Sequence, residues 1–215
     1  FCCPPLPVLV GPVAEALVCV PRATALPGSS CFFAASADLR GVGFIRERSQ
    51  CLGIGKLGHD VFRRLGECGI PTFGFINGLA LGGGLELGLH CNYRTLATTA
   101  LTGLPEVFLG LIPGWGGATL LPKLIGPERA VQVIVLNPLN NNTMLKSKDA
   151  LALGVVDAVY EPADYLERSV GFVADILSGK KKIERADYTQ DPNWEKAIAT
   201  GQAAALKKYG GAEID

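Results

Sequence analysis

An apolar run that ends in three consecutive glycines and reaches a glutamate two residues later leaves a chain few ways to fold, and residues 73–91 contain one. Phe73-Gly74-Phe75-Ile76-Asn77 reads as a strand. Gly82, Gly83 and Gly84 read as the turn that ends it, and Leu85-Glu86-Leu87-Gly88-Leu89 as a helix opening directly from that turn. A helix start carries amides without intrahelical acceptors and roughly half a positive charge, and glycine lets a ligand approach that backbone closely. A developing oxyanion is stabilised there. Glu86 lies one helical turn after Gly83, so its carboxylate overhangs the same spot. Glu106 follows Pro105 in Gly103-Leu104-Pro105-Glu106-Val107, where proline fixes the chain before it. Two carboxylates beside a cluster of amides make a site for proton transfer.

The rest of the composition narrows the classes. With 215 residues, 48% of them hydrophobic, the chain can bury one substantial core. Twenty basic and twenty acidic side chains cancel, and no element gathers enough Lys or Arg to track a phosphate backbone, so nucleic acid is not an expected partner. Lys180-Lys181-Lys182 reads as a solvated turn. Seven cysteines without a C-x-x-C spacing suit reduced thiols in a cytosol, and the expected location is cytoplasmic. His59 and His90 stand alone in sequence, away from any pattern of metal ligands, so no metal is expected. Phe1-Cys2-Cys3-Pro4-Pro5 has no basic region of a signal peptide and reads as the edge of a fragment. Residues 73–91 are apolar enough to suggest a membrane span, but Asn77, Glu86 and His90 interrupt them. One ionised carboxylate at a bilayer centre costs about 2.5–3.5 kcal/mol, so no span is expected.

Taken in order, residues 6–10 and 17–20 suit buried strands of a parallel sheet, and residues 21–30 read as loop. Cys31-Phe32-Phe33-Ala34-Ala35-Ser36-Ala37-Asp38-Leu39 is an apolar entry into small residues, with Asp38 as a helix cap. Over residues 46–68, Ile54, Leu57, Val61 and Leu65 repeat at helical spacing opposite Arg48, Lys56, Arg63 and Arg64. Gly53, Gly55 and Gly58 inside that helix spell G-x-G-x-x-G, but no strand precedes them, so helix packing is the better reading than a dinucleotide site. Residues 92–98 read as a strand. The loop 111–117 starts a helix carrying Leu120, Leu121, Leu124 and Ile125, and Pro127 opens the next. Ser147 is expected to cap residues 148–153, with a strand at 155–160. Leu166, Val170, Val173 and Leu177 form the apolar stripe of a helix starting at Pro162. A last helix carries Trp194, Ile198 and Ala205. The recurrence of strand and helix indicates an α/β fold with mainly parallel pairing. The expected division is a core over 1–160 and a C-terminal helical segment over 161–215.

Two stretches carry a resemblance. Ile76-Asn77-Gly78-Leu79-Ala80-Leu81-Gly82-Gly83-Gly84-Leu85-Glu86-Leu87 and Leu104-Pro105-Glu106-Val107-Phe108-Leu109-Gly110-Leu111-Ile112-Pro113-Gly114-Trp115-Gly116-Gly117 resemble the two main motifs of the enoyl-CoA hydratase/isomerase, or crotonase, family. The likeness runs from about residue 32 to 160, and its flavour is that of the hydratase portion of bacterial multifunctional fatty-acid oxidation proteins. It implies a crotonase-like core of repeated ββα units forming a spiral, followed by C-terminal helices. It also implies hydration of 2-enoyl-CoA thioesters to 3-hydroxyacyl-CoA. Isomerisation, thioester hydrolysis by the same fold, or a non-catalytic acyl-CoA-binding remnant are the alternatives.

By motif position, the amides of Ala37 and Gly83 resemble the family's oxyanion donors, and Glu86 and Glu106 its pair of acids. Ala35 and Ala37 carbonyls are the implied partners of the coenzyme A adenine, with Asp38, Leu39, Gly82 and Gly114 completing the implied binding residues. No separate cofactor is implied, since coenzyme A enters as part of the substrate. The implied assembly is a homo-oligomer, trimer or hexamer, with a dehydrogenase or thiolase as a further partner. Two departures stand out: Ser36 occupies a position where the family usually has glycine, and only about thirty residues precede the first motif.

Overall fold

The structure, a computed structural model, describes residues 18–20, 23–27, 32–35 and 47–210. Two sheets organise it. The first contains β1 (Val18–Val20), β2 (Ala23–Pro27), β4 (Thr72–Ile76), β6 (Tyr93–Ala97) and β9 (Ala158–Tyr160), in the order β1-β2-β4-β6-β9. The second contains β3 (Phe32–Ala35), β5 (Leu79–Leu81), β7 (Leu101–Gly103) and β8 (Leu145–Lys146), in the order β3-β5-β7-β8. Pairing is parallel except for β1 with β2 and β7 with β8. The chain steps from β4 in one sheet to β5 in the other, then into a helix. It repeats the step through β6 and β7, which is the ββα spiral expected of the α/β fold.

That step corrects the strand-to-helix reading of residues 73–89. β4 does not turn directly into the helix, because Asn77-Gly78 carry the chain across to the second sheet, where Leu79-Ala80-Leu81 pairs with β3 and β7. Three residues are too few to show a strand period. Residues 21–30 are corrected likewise, since Ala23–Pro27 is a strand parallel to β4. The register with β1 ends at Ala25, so on that side no ladder bond needs the N–H that Pro27 lacks. Residues 18–20 are a strand as expected, but antiparallel to its neighbour. Residues 6–10 lie outside the described residues.

The helices bury their faces unevenly. α1 (Arg48–Glu67) packs Phe62 and Leu65 but leaves Leu52, Ile54 and Leu57 exposed, so only its second half follows the expected stripe. Gly58 supports the packing reading of the glycine motif: a Cβ there would stand 2.3 Å from the Trp115 indole. α2 (Gly83–His90) lies at the centre, with Leu85 fully buried. After it come a 3-10 turn (Glu106–Leu109), α3 (Gly117–Ile125) and α4 (Pro127–Val131), which runs on through a π turn (Gln132–Leu136) into α5 (Asn137–Leu139). α6 (Ser147–Leu153) starts without the expected serine cap, because Ser147 Oγ donates instead to the Thr98 carbonyl at 2.9 Å.

The expected stripe of α7 (Tyr165–Leu177) is also corrected. Leu166, Val170 and Leu177 are exposed, only Val173 of the expected stripe packs against the core, and the helix buries Tyr165, Ser169 and Phe172. These residues share helical spacing too, and they win because they have specific partners. Phe172 meets Phe73 and Tyr93 edge-on, while Thr95 Oγ1 bonds the Tyr165 hydroxyl at 3.0 Å and Ser169 Oγ at 2.8 Å. α8 (Trp194–Tyr209) covers its own chain: Gly201 faces Val131 and Val135, Lys196 pairs with Glu128, and the Tyr209 hydroxyl donates to the Val107 carbonyl at 3.0 Å.

The side of β6 nearest α2 is fixed by a fully buried arginine. Arg94 donates from Nε to the Val155 carbonyl and from Nη1 to the Gly88 and Cys91 carbonyls at the end of α2. Asp157 balances its charge and also accepts from Arg185 at 2.9 Å. Cations belong at a helix C-terminus, so Arg94 holds α2 from behind while its front end faces the site. No helix among the described residues is long and apolar enough to cross a membrane.

Candidate active site

α2 begins at a turn that only glycine makes comfortably. Gly82 has φ 52° and ψ −127°, and its N–H donates to the Gly103 carbonyl at 2.9 Å, which ties the turn to β7. Gly83 is then the first helical residue, where amides lack an intrahelical acceptor. One turn on, Glu86 is 2% exposed. Its Oε1 accepts from the N–H of Trp115 and the N–H of Gly117, each at 2.8 Å. Gly117 opens α3, so the carboxylate of one helix rests on the N-terminus of another. The space is tight: a Cβ on Gly117 would lie 2.7 Å from Pro113 Cβ and 3.1 Å from Glu86 Oε1.

Glu106 lives differently. It opens the 3-10 turn after Pro105, and its carbonyl accepts from Leu111 N–H at 2.9 Å. Its Oε2 is buried without a hydrogen-bond partner among the described residues. Burial pushes its carboxyl up to about 7, its own amide opposes this, and the charge of Glu86 adds to the rise. Glu86 is also raised by burial, but the Gly117 and Trp115 amides pull it back. The two acids are therefore within electrostatic reach, and although burial raises both, the amides on Glu86 leave the proton held more readily by Glu106.

Gly82, Gly83, Glu86 and Glu106 thus come to one region. Ala35 ends β3 in register with Leu81, the residue before Gly82. Ser36, Ala37, Asp38 and Leu39 lie outside the described residues. Gly114 is on an exposed turn two residues before the packed Gly116. Trp115 is the packing residue expected of it, edge-on to Phe62 at 5.5 Å.

The sequence reading missed three features. The Trp115 and Gly117 amides as partners of Glu86 left one signal, a second glycine-rich helix start like that at Gly82–Gly84. The third is His90, together with His59. They do not stand apart, since their rings meet edge-on at 5.8 Å and His90 Nε2 bonds the Trp115 carbonyl at 2.8 Å. Nothing in their spacing, 31 positions apart, announces that contact.

Comparison with known proteins agrees with this architecture. The family model described as enoyl-CoA hydratase/isomerase matches residues 21–202. The fatty acid oxidation complex subunit alpha of Idiomarina loihiensis is 45% identical over 121 residues, 56% of this chain and 16% of that protein. The subunit of the same name from Colwellia psychrerythraea is 42% identical over 125 residues, 58% of this chain and 17% of that protein. The match therefore spans about a sixth of the length of these relatives. Among solved structures, an enoyl-CoA hydratase from Bacillus anthracis aligns with a TM-score of 0.65 and 26% identity, covering 89% of this chain and 72% of that one. An enoyl-CoA hydratase from Thermoplasma volcanium shares the fold, with a TM-score of 0.65 and 23% identity over 90% of this chain and 76% of that one. With most of its length inside the family model and its two sheets wound as in these structures, the chain belongs to the enoyl-CoA hydratase/isomerase family.

Proposed function

We propose that this chain hydrates 2-enoyl-CoA thioesters to 3-hydroxyacyl-CoA, as a step of fatty-acid oxidation. One observation carries the proposal: two buried, interacting carboxylates, both raised by burial, of which Glu86 is drawn back by two amides while Glu106, with an oxygen unpartnered among the described residues, is raised to about 7. In the reaction the water oxygen bonds to the β-carbon while Glu86 takes its proton. The π electrons move toward the thioester, and Glu106 delivers its proton to the α-carbon. The net change is one water added across the double bond, and the proton left on Glu86 returns to Glu106 through the shared site. Because the acids interact, they titrate as a pair.

The charge that gathers on the thioester oxygen is met by the amides of Gly83 and Ala37. Losing one such donor costs about 3–4 kcal/mol of barrier. By motif position, the Ala35 and Ala37 carbonyls are assigned to the adenine of coenzyme A, which arrives as part of the substrate, and Asp38, Leu39, Gly82 and Gly114 to the rest of its binding. The names of the relatives, subunits of a fatty acid oxidation complex, support a place in fatty-acid oxidation, and the proposal extends to a homo-oligomer working beside a dehydrogenase or thiolase. The test is hydration of crotonyl-CoA, followed by loss of its conjugated-thioester absorbance. Turnover that depends on both glutamates is the expected result. A Glu106→Gln variant with undiminished turnover would end the proposal, and product analysis with 3-enoyl-CoA separates isomerisation.

A further inference from the structure

The amides that hold Glu86 sit on a short loop between Pro113 and Gly117, and something must hold the loop. His90 does so from the same helix as Glu86, four residues on, so both side chains leave one face of α2. Its ring is buried at 7% exposure, edge-on to Phe62 at 5.9 Å and to His59 at 5.8 Å. Gly116 has φ 124°, and a Cβ there would stand 2.5 Å from His90 Nε2, so the loop backbone presses directly on the ring. The partner of Nε2 at 2.8 Å is the Trp115 carbonyl, which can only accept, so Nε2 carries the hydrogen. Trp115 is thereby gripped twice from α2, at its carbonyl by His90 and at its N–H by Glu86.

We propose that His90 is a positioning residue for the reaction: its Nε2–H bond to the Trp115 carbonyl keeps the 113–117 loop seated on α2, so that the Trp115 and Gly117 amides stay aimed at Glu86 Oε1. The inference rests on the hydratase reading of the site, but the clamp itself is a statement about geometry and is tested separately. A catalytic group mispositioned by about 1 Å can lose about a hundredfold in rate, which sets the size of the effect. Burial pushes His90 below its ordinary value, against the Trp115 carbonyl and with the charge of His59, and the neutral ring bearing its hydrogen on Nε2 is the form the contact needs.

The experiment compares His90→Leu, which removes the donor, with His90→Gln, whose amide nitrogen stands close to the place of Nε2. Where the Leu variant does not fold, His90→Asn, polar but too short to reach Trp115, takes its place. With crotonyl-CoA, the Leu variant is expected to lose about 10- to 100-fold in kcat with KM changed less than about twofold, and Gln to recover most of that loss. In a Glu86→Gln background the His90 substitution should add nothing, because the two act through one contact. Hydrogen exchange reads the clamp without any turnover: the Trp115 and Gly117 amides should exchange about tenfold faster in the Leu variant than in wild type or Gln. Unchanged exchange and kcat in a folded Leu variant would overturn the proposal, as would equal losses for Leu and Gln or a full effect persisting without Glu86. Exchange that responds as stated in a protein without hydratase activity would support the clamp while removing the hydratase reading.

Discussion

Glu86 and Glu106 are the same residue type in one buried region, and the elements that carry them treat them in opposite ways. Glu86 is on a helix anchored at both ends, by the Gly82–Gly103 bond in front and Arg94 behind, and two amides at the start of α3 take its Oε1. Glu106 is on a single 3-10 turn, with one oxygen buried and unpartnered. The backbone around the first favours an anion, and the surroundings of the second favour a proton. Among the described residues, burial, main-chain amides and the charge of Glu86 are what set the two acids apart.

The sharpest way to break this contrast is to remove the proposed proton donor. Glu106→Gln should lower crotonyl-CoA hydration by about a thousandfold, the middle of the usual range for general acid–base catalysis. The same variant reports on stability. A carboxyl raised to about 7 when folded contributes fully below its unfolded value near 4.3 and loses that contribution as the pH rises through about 7. Glu106→Gln should therefore melt higher than wild type at pH 8, with the advantage shrinking at pH 5, as thermal unfolding at the two pH values would reveal.

Crowding the opposite acid comes next. Gly117→Ala places a methyl group against Pro113 and Glu86 Oε1, so hydration should fall by about 10- to 100-fold and stability by about 1–3 kcal/mol in urea unfolding. A third experiment leaves the chain intact. The rate should fall as the pH rises through about 7, when Glu106 loses its proton, and in a Glu86→Gln variant the Glu106 carboxyl, followed by carbon NMR, should titrate at lower pH. A falling limb that starts near pH 5 instead would erase the difference between the two acids. The smallest effect belongs to Tyr209→Phe, which removes one hydrogen bond beneath the 3-10 turn and should cost about 0.5–1.5 kcal/mol of stability.

The parts of this site that were legible before the structure are those written in residue types. Glycines where the backbone must come close, an acid one turn later, and a proline before the second acid all leave a mark in sequence. What stayed hidden was decided across distance. β5 is three residues long and is a strand only because β3 and β7 flank it. α7 carries two apolar faces at helical spacing, and the choice between them rests with Thr95 and Phe73, roughly seventy and a hundred positions away. The amides of Trp115 and Gly117 are main-chain groups that every residue but proline owns, so no side chain announces them.

The hydroxyl of Tyr209 on the Val107 carbonyl makes the final helix a lever on the turn just below Glu106. Because Tyr209 is the last of that helix's sixteen residues, the bond latches the helix end to the backbone one residue after the acid. Two stretches 102 positions apart in sequence are thereby joined beside a buried carboxyl.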